Sequence, residues 1–115
     1  MDDLPKQVKR QLRELNNKAY QVELILELEK LWTRFTDWKA SKIGPWELTE
    51  TIHKYHNNTA RDLYNRYETT NNLRLNIGRA VAIGLLTREE IPATVWPHVE
   101  SVVEYFRQEL DSKGK

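Results

Sequence analysis

The sequence contains no cysteine, which excludes disulfide bonds, thiolate catalysis and cysteine-ligated zinc or iron–sulfur centres. It also lacks an apolar run long enough to span a bilayer, because three glutamates and a lysine interrupt the densest apolar stretch, residues 22–32. The first residues, Met1-Asp2-Asp3, lack the basic start and apolar core of a secretory signal. Together these absences predict a cytoplasmic protein without a membrane-spanning segment.

Neither sign of charge dominates, since 18 basic residues face 17 acidic ones and the net charge is +1. This balance gives no general attraction to nucleic acids or anionic membranes. Glycine and proline are scarce, at 4 each, and neither strand-like alternation nor an internal repeat is visible. We therefore expect one all-α domain over residues 1–115, frayed at 1–5 and 111–115. It should fold as a compact bundle of four to six mostly antiparallel helices.

Apolar residues recur at helical spacing from about Pro5 to Ala40, but in two stripes that face nearly opposite ways. The first stripe is Val8, Leu12, Leu15, Ala19, Val22 and Leu26, and the second is Leu24, Leu28, Leu31, Phe35 and Trp38. Either the region breaks near Asn16-Asn17, or one long helix is packed on different sides along its length. Because residues 24–32 are apolar on most faces, they predict the central helix of the core.

A second helix is expected to begin at Gly44-Pro45-Trp46-Glu47, with proline at the first helical position and an acidic residue in the first turn. This helix runs through Tyr55. Beyond it the sequence leaves two possibilities. Asn57-Asn58-Thr59 interrupts the helix, since residues 59–62 resemble a capping box, or the helix continues to Tyr67.

The C-terminal third predicts one helix over about residues 73–85 and another over about residues 94–110. The first of these is rich in small residues such as Gly78. Because glycine costs a helix about 1 kcal/mol relative to alanine, its use predicts close packing against a neighbour. Between the two helices, Thr87-Arg88-Glu89-Glu90 matches a capping box.

If the second helix is continuous, histidines and tyrosines align on one of its faces at 100° per residue. Such a face could bind a ligand. Arg61 would hold an anionic group and Tyr64 would donate a hydrogen bond, while one of the two histidines would transfer a proton. The candidate ligand-binding residues are His53, His56, Arg61, Tyr64 and Tyr67. The alternative is that they line the edge of the core, each with a buried apolar body and a polar tip in water.

The same segment does not match a known metal-binding pattern. The spacing Glu50-x-x-His53 occurs once, whereas di-iron bundles use it twice with further glutamates. His53 and His56 lie three residues apart rather than the four of the His-Glu-x-x-His zinc motif. We therefore predict no metal and no cofactor, and we assign no catalytic residue.

Four tryptophans and five tyrosines exceed what so small a core needs, and both residue types favour interfaces. The first apolar stripe also needs a partner helix, either within the chain or in a second copy. The predicted interface residues are Val8, Leu12, Leu15, Trp38 and Trp46.

Basic residues are concentrated near the N-terminus, where only Glu14 opposes them. They are Lys6, Lys9, Arg10, Arg13 and Lys18. This face could contact nucleic-acid phosphates. The alternative is a solvated helix surface, since aromatic residues and a recognition-helix pattern are lacking.

The middle third of the chain resembles small, uncharacterised, all-helical bacterial proteins. The resemblance is carried by Trp38-Lys39, Ile43, Glu47-Leu48, Ile52-His53, His56, Arg61-Asp62-Leu63-Tyr64 and Tyr67. It implies no function, but it favours one site that includes the histidines, Arg61 and Tyr64. The leading hypothesis is a non-enzymatic protein–protein interaction module, and a homodimer is one form that it could take. The alternatives are a small enzyme or ligand-binding protein and a nucleic-acid-binding protein.

Overall fold

The computed structural model describes residues 4–69 and 72–113, which form helices and connecting turns without a strand. The prediction of an all-α chain is confirmed. The helices are α1 (Lys6–Lys39), α2 (Pro45–Lys54), α3 (Arg61–Glu68), α4 (Leu73–Ala82) and α5 (Trp96–Lys113). A π-helical turn, Tyr55–Ala60, joins α2 directly to α3, and a 3-10 turn, Arg88–Glu90, precedes α5.

The helix ends differ from prediction mainly at the C-terminus. Helix α5 continues through Lys113, into the segment that the sequence predicts to fray. At the other end, residues 4 and 5 precede α1 and are not helical, as expected. The remaining residues of the predicted frayed ends, 1–3 and 114–115, lie outside the described residues. Within the described ranges, no helix combines the length and apolar character needed to cross a bilayer.

Helix α1 is one unbroken helix of 34 residues, so the interpretation with a break near Asn16-Asn17 is wrong. Asn16 is buried in the middle of the helix, where its side chain donates a hydrogen bond to the backbone carbonyl of Tyr67 at 3.0 Å. Asparagine is a weak helix former, but here a tertiary hydrogen bond holds it in place.

The core surrounds the N-terminal half of α1, against which α3 and α4 pack, while α5 packs mainly on α4. Its buried apolar residues are Val8, Leu12, Leu15, Ala19, Leu63, Tyr67, Ile77, Ala80, Val81, Leu86, Ile91, Val95, Val99 and Val103. A Cβ atom added at Gly78 would lie 2.3 Å from a methyl carbon of Val102. The predicted close packing at this glycine is confirmed, because α4 and α5 approach too closely for any side chain there.

The C-terminal half of α1 projects away from this core and is followed by a tight turn. Ser41 adopts a left-handed φ of 63°, and the Lys42 amide donates to the carbonyl of Asp37 at 2.8 Å. The Gly44 amide then donates to the Glu47 carboxylate at 3.1 Å and starts α2 as predicted. Helix α2 therefore runs back along α1.

We call residues 24–54 the hairpin arm. The prediction that residues 24–32 form the central core helix is wrong, because most of the large apolar side chains in this stretch are exposed: Ile25 at 48%, Leu26 at 45%, Leu28 at 44% and Trp32 at 70%. Helix α4 joins α1 farther back, where Arg79 pairs with Glu23, and α5 packs mainly on α4. Of the residues of α2, only Leu48 is buried. The molecule is correspondingly long, with extents of 54 × 33 × 22 Å and a radius of gyration of 17.2 Å, against about 13 Å for a compact domain of this size.

Candidate functional site

The predicted histidine–tyrosine face depends on a continuous α-helix, and the structure modifies that helix at one turn. The chain does continue through Asn57 and Asn58, but as the π-helical turn Tyr55–Ala60. A π turn holds more residues than an α turn, so side chains beyond it are rotated relative to those before it. The alignment expected from a uniform 100° per residue is therefore lost after His56.

The structure leaves most of the predicted ligand-binding residues in solvent. His53, His56, Arg61 and Tyr64 are all exposed, whereas Tyr67 is buried. In the part of the chain that the structure describes, no side-chain hydrogen bond or ion pair involves these four exposed residues. None of them lines the groove of the hairpin arm or the cavity formed by Lys9, Arg13 and Arg74. The structure thus separates Tyr67 from the other four and does not gather the set into one pocket.

Tyr67 instead belongs to a polar cluster centred on Glu23 of α1. The Tyr67 hydroxyl donates to the Glu23 carboxylate at 2.6 Å, and the Arg79 guanidinium donates to both carboxylate oxygens at 3.1 Å. Arg66 approaches the same carboxylate at 3.4 Å. One carboxylate therefore connects α1, α3 and α4.

The cluster shifts the protonation equilibria of its members. Burial by itself would raise the pKa of Glu23. Hydrogen bonds from Arg79 and Tyr67, together with the positive charges of Arg79 and Arg66, outweigh burial and hold that pKa below its ordinary value. Burial and the Glu23 carboxylate raise the pKa of Tyr67. A carboxylate with both oxygens occupied and a lowered pKa is a poor proton acceptor, which favours a structural role over catalysis.

A second polar contact lies next to this cluster, between the buried residues Asn16 and Asn76. The Asn76 amide donates to the Asn16 side-chain oxygen and to the Arg66 carbonyl, each at 2.9 Å. Across the described residues, no buried side-chain polar atom lacks a hydrogen-bond partner. Because every buried polar side chain is satisfied, none is left directed at a missing ligand.

The hairpin arm has one charged side. Between its two helices lies a groove of about 200 Å³. The groove is lined by Glu27, Lys30, Leu31, Arg34, Thr51, Lys54, Tyr55 and Thr59. Lys30 pairs with Glu27 at 3.0 Å, and Arg34 pairs with Asp37 at 3.5 Å. Charged side chains on this side therefore largely neutralise one another.

The opposite side of the arm is apolar and open to solvent. At 100° per residue, Ile25, Leu28, Trp32 and Phe35 fall within an arc of about 80° on α1, on the flank of Leu31 away from the charged groove. The exposed fractions of the first three are 48%, 44% and 70%. Ile52 of α2, 38% exposed, lies on the same side because Thr51 and Lys54 face the groove. We call Ile25, Leu28, Trp32, Phe35 and Ile52 the apolar face.

The predicted interface residues fall into two groups. Val8, Leu12 and Leu15 are buried within the chain by its own helices, so the first stripe finds its partner in the same molecule. Trp38 and Trp46 are exposed at the end of the arm, Trp46 at 86%. The Lys39 ammonium lies 5.6 Å from the centre of the Trp38 ring.

The residues that sequence reasoning missed had a recognisable signal. Ile25 belongs to neither predicted stripe, yet positions 25, 28, 32 and 35 follow the alternating three- and four-residue spacing of a coiled-coil contact. The Glu23 cluster had no such signal, because its arginines lie 43 and 56 residues away in the sequence.

The basic N-terminal face gains one cation from another helix. Lys9 and Arg13 of α1 line a cavity of about 380 Å³ together with Arg74 of α4. Lys18, by contrast, is paired with Glu90. The structure therefore brings together some of the predicted basic residues.

The chain matches no protein-family model, and neither a curated protein nor a solved structure is significantly similar to it.

Proposed function

We propose that this chain is a non-enzymatic protein–protein interaction module of the cytoplasm, and that it binds through the apolar face of the hairpin arm. The observation that carries the proposal is the open row of Ile25, Leu28 and Trp32 on a helix whose opposite side is charged. Large apolar patches that remain exposed on a soluble domain mark interaction sites. Tryptophan surrounded by aliphatic side chains is the composition of interface hot spots.

The division of the molecule supports this function. In the half that contains α3, α4 and α5, a shared core with α1 buries apolar residues and the polar cluster is satisfied within the chain. The arm has two helices and little buried apolar surface of its own. An amphipathic hairpin that projects from a packed domain is suited to the helix-in-groove mode of recognition, in which apolar side chains at helical spacing contact a partner.

The proposal is tested by placing the photo-crosslinking residue benzoylphenylalanine at Trp32 and, as control, at Glu104 on the exposed side of α5. The variants are expressed at native level in the cells that make the protein. Crosslinked peptides are then identified by mass spectrometry. We expect protein adducts from position 32 that disappear when Leu28→Glu is added. Adducts no more abundant than at position 104, or insensitive to Leu28→Glu, would refute an interaction through the apolar face.

A second candidate function, nucleic-acid binding, is favoured by the shared cavity of Lys9, Arg13 and Arg74. Three cations around one cavity could hold phosphate oxygens. On a heparin column, wild type should then elute at higher salt than a variant with Lys9→Gln, Arg13→Gln and Arg74→Gln. A control with Arg107→Gln, exposed on α5, should elute like wild type. Equal elution of wild type and the triple variant would exclude this function.

A further inference from the structure

We infer that the partner of the apolar face is a second copy of this chain, so that two hairpin arms pack face to face as a four-helix bundle. The inference rests on the proposed interaction function and identifies the partner that covers the apolar face. Two helices cannot enclose a core, whereas two amphipathic pairs can do so by burying their apolar sides against one another. Each arm supplies one such pair.

The spacing of the residues on the apolar face favours a partner helix whose apolar residues have the same spacing. Ile25, Leu28, Trp32 and Phe35 stand at intervals of three, four and three residues, as do contact positions in bundles whose helices cross at about 20°. A twofold axis requires one surface that complements itself. A row of apolar side chains with this spacing meets that requirement, because an identical row offers the same alternation of side chains and gaps.

Charge does not oppose the association of two copies. Besides its four apolar members, the same arc of α1 holds Gln21 and Lys39, so its one charged side chain lies at the outer end of the helix. Of the neighbouring ionic groups, Glu27, Lys30 and Arg34 lie on the groove side, whereas Glu29 lies about 40° beyond Ile25 on α1. When the two α1 helices run antiparallel about the twofold axis, with Leu28 opposite Trp32 of the second copy, Lys39 lies opposite Gln21. The two lysines are then at opposite ends of the interface, which avoids the several kcal/mol that like charges in contact cost.

The surface is also large enough for a weak dimer. Residues 24–39 give a helix about 24 Å long, and two adjacent helices are about 20 Å wide. Such a face measures about 480 Å², which is smaller than the roughly 800 Å² that each partner of a stable complex buries and fits a weak association. Trp32 alone would bury on the order of 150 Å². We expect a dissociation constant in the micromolar range, because the face is smaller than that of a stable complex.

The test is sedimentation equilibrium of the full chain from about 1 μM to about 500 μM. Wild type should pass from its monomer mass of 13.7 kDa to twice that mass. Trp32→Glu and Leu28→Glu should each weaken the dimer by about thirtyfold or more, the size of a hot-spot effect. Both side chains are exposed in the monomer, so far-UV circular dichroism should remain unchanged.

Trp46→Glu is the matched control, since it changes the same residue type on the same arm. Trp46 lies about 200° around α2 from the buried Leu48, and so points away from α1 and from the apolar face. Its dimer should form as in wild type. A single-chain mass at every concentration, or a dimer unaffected by both Trp32→Glu and Leu28→Glu, would overturn the inference.

The two proposals fail in different ways. If the wild type stays monomeric while position 32 crosslinks to a different protein, self-association is wrong and the interaction function stands. If the wild type is monomeric and position 32 yields no adduct that depends on Leu28, both are wrong. A peptide of this same chain crosslinked at position 32, together with the doubled mass, supports both.

Discussion

Arg79 of α4 forms a two-pronged ion pair with Glu23 of α1, with both nitrogen–oxygen distances at 3.1 Å. Only 13% of the Glu23 side chain and 23% of the Arg79 side chain are exposed. This pair fixes the position along α1 at which α4 packs, and it lies where the packed core ends and the hairpin arm begins. It therefore connects the stability of the core to the orientation of the arm.

Removing Arg79 should destabilise the fold more than removing a surface arginine. Arg79→Met leaves the mostly buried Glu23 carboxylate without its best partner, and we expect the free energy of unfolding to fall by about 2–3 kcal/mol. The control is Arg34→Met, since Arg34 is 39% exposed and pairs with Asp37 within one helix at 3.5 Å. That change should cost less than about 0.5 kcal/mol. If urea unfolding gave equal losses of unfolding free energy for the two variants, the Glu23–Arg79 pair would stabilise the fold no more than the surface pair does.

The Glu23 cluster should also lose its stabilising effect in acid. The pKa of Glu23 in the folded chain lies below its ordinary value of 4.5, so its ionised form stabilises the fold. This contribution is fully present above pH 4.5 and is lost as pH falls through the lower, folded pKa. The measurement compares urea unfolding of wild type and Glu23→Gln along a pH series. A stability difference that stayed constant into strong acid would contradict the lowered pKa.

At alkaline pH the relevant group is Tyr67, whose pKa burial and the Glu23 carboxylate raise above the ordinary 10.0. The neutral phenol then stabilises the fold below pH 10.0, and this contribution is lost as pH rises through the higher, folded pKa. Tyr67→Phe keeps the ring that stacks on Tyr20 at 5.0 Å but removes the hydroxyl. We expect it to cost about 2 kcal/mol near neutral pH and progressively less above pH 10.0.

The control for that experiment is Tyr64→Phe, because Tyr64 is exposed and its hydroxyl has no partner within the described chain. Its free energy of unfolding should match that of wild type throughout. If Tyr67→Phe behaved in the same way, the hydroxyl–carboxylate contact would have no energetic role.

Because α4 and α5 approach closely at Gly78, we expect Gly78→Ala to destabilise the fold, although helix propensity alone favours alanine. Alanine is favoured over glycine inside a helix by about 1 kcal/mol, but its Cβ would lie 2.3 Å from Val102. We expect Gly78→Ala to lower the free energy of unfolding by about 1–3 kcal/mol, as overpacking does. Thermal unfolding followed by circular dichroism measures this. An unchanged or raised midpoint would mean that the two helices can separate at little cost.

Local features of the sequence predicted most of the helices. The proline and glutamate after Gly44 start α2 as expected, and the capping box at Thr87 forms, with its amide donating to the Glu90 carboxylate at 2.8 Å. These contacts span three residues, so the sequence contains both partners side by side. The buried stripe on the N-terminal half of α1 was equally readable, because its spacing repeats over several turns.

The candidate sites were less predictable, for reasons that differ between them. The histidine–tyrosine face required a uniform helix, and one π-helical turn at Tyr55–Ala60 rotates the residues that follow it. The apolar face could be read from positions 25, 28, 32 and 35, but the same residues equally suggested a buried core. Periodicity shows that a face is apolar, and it does not show whether anything covers that face.

By itself, then, the sequence determined the helical class of the chain, the starts of α2 and the 3-10 turn, and the burial of Val8, Leu12 and Leu15 by some partner. Each depends on residues within a few turns of one another. The tertiary structure decided which helices cover which stripe, that Glu23 is held by Arg66 and Arg79, and that the arm extends beyond the core. Those outcomes depend on where α3 and α4 pack along α1, and no interaction between residues close in the sequence sets that position.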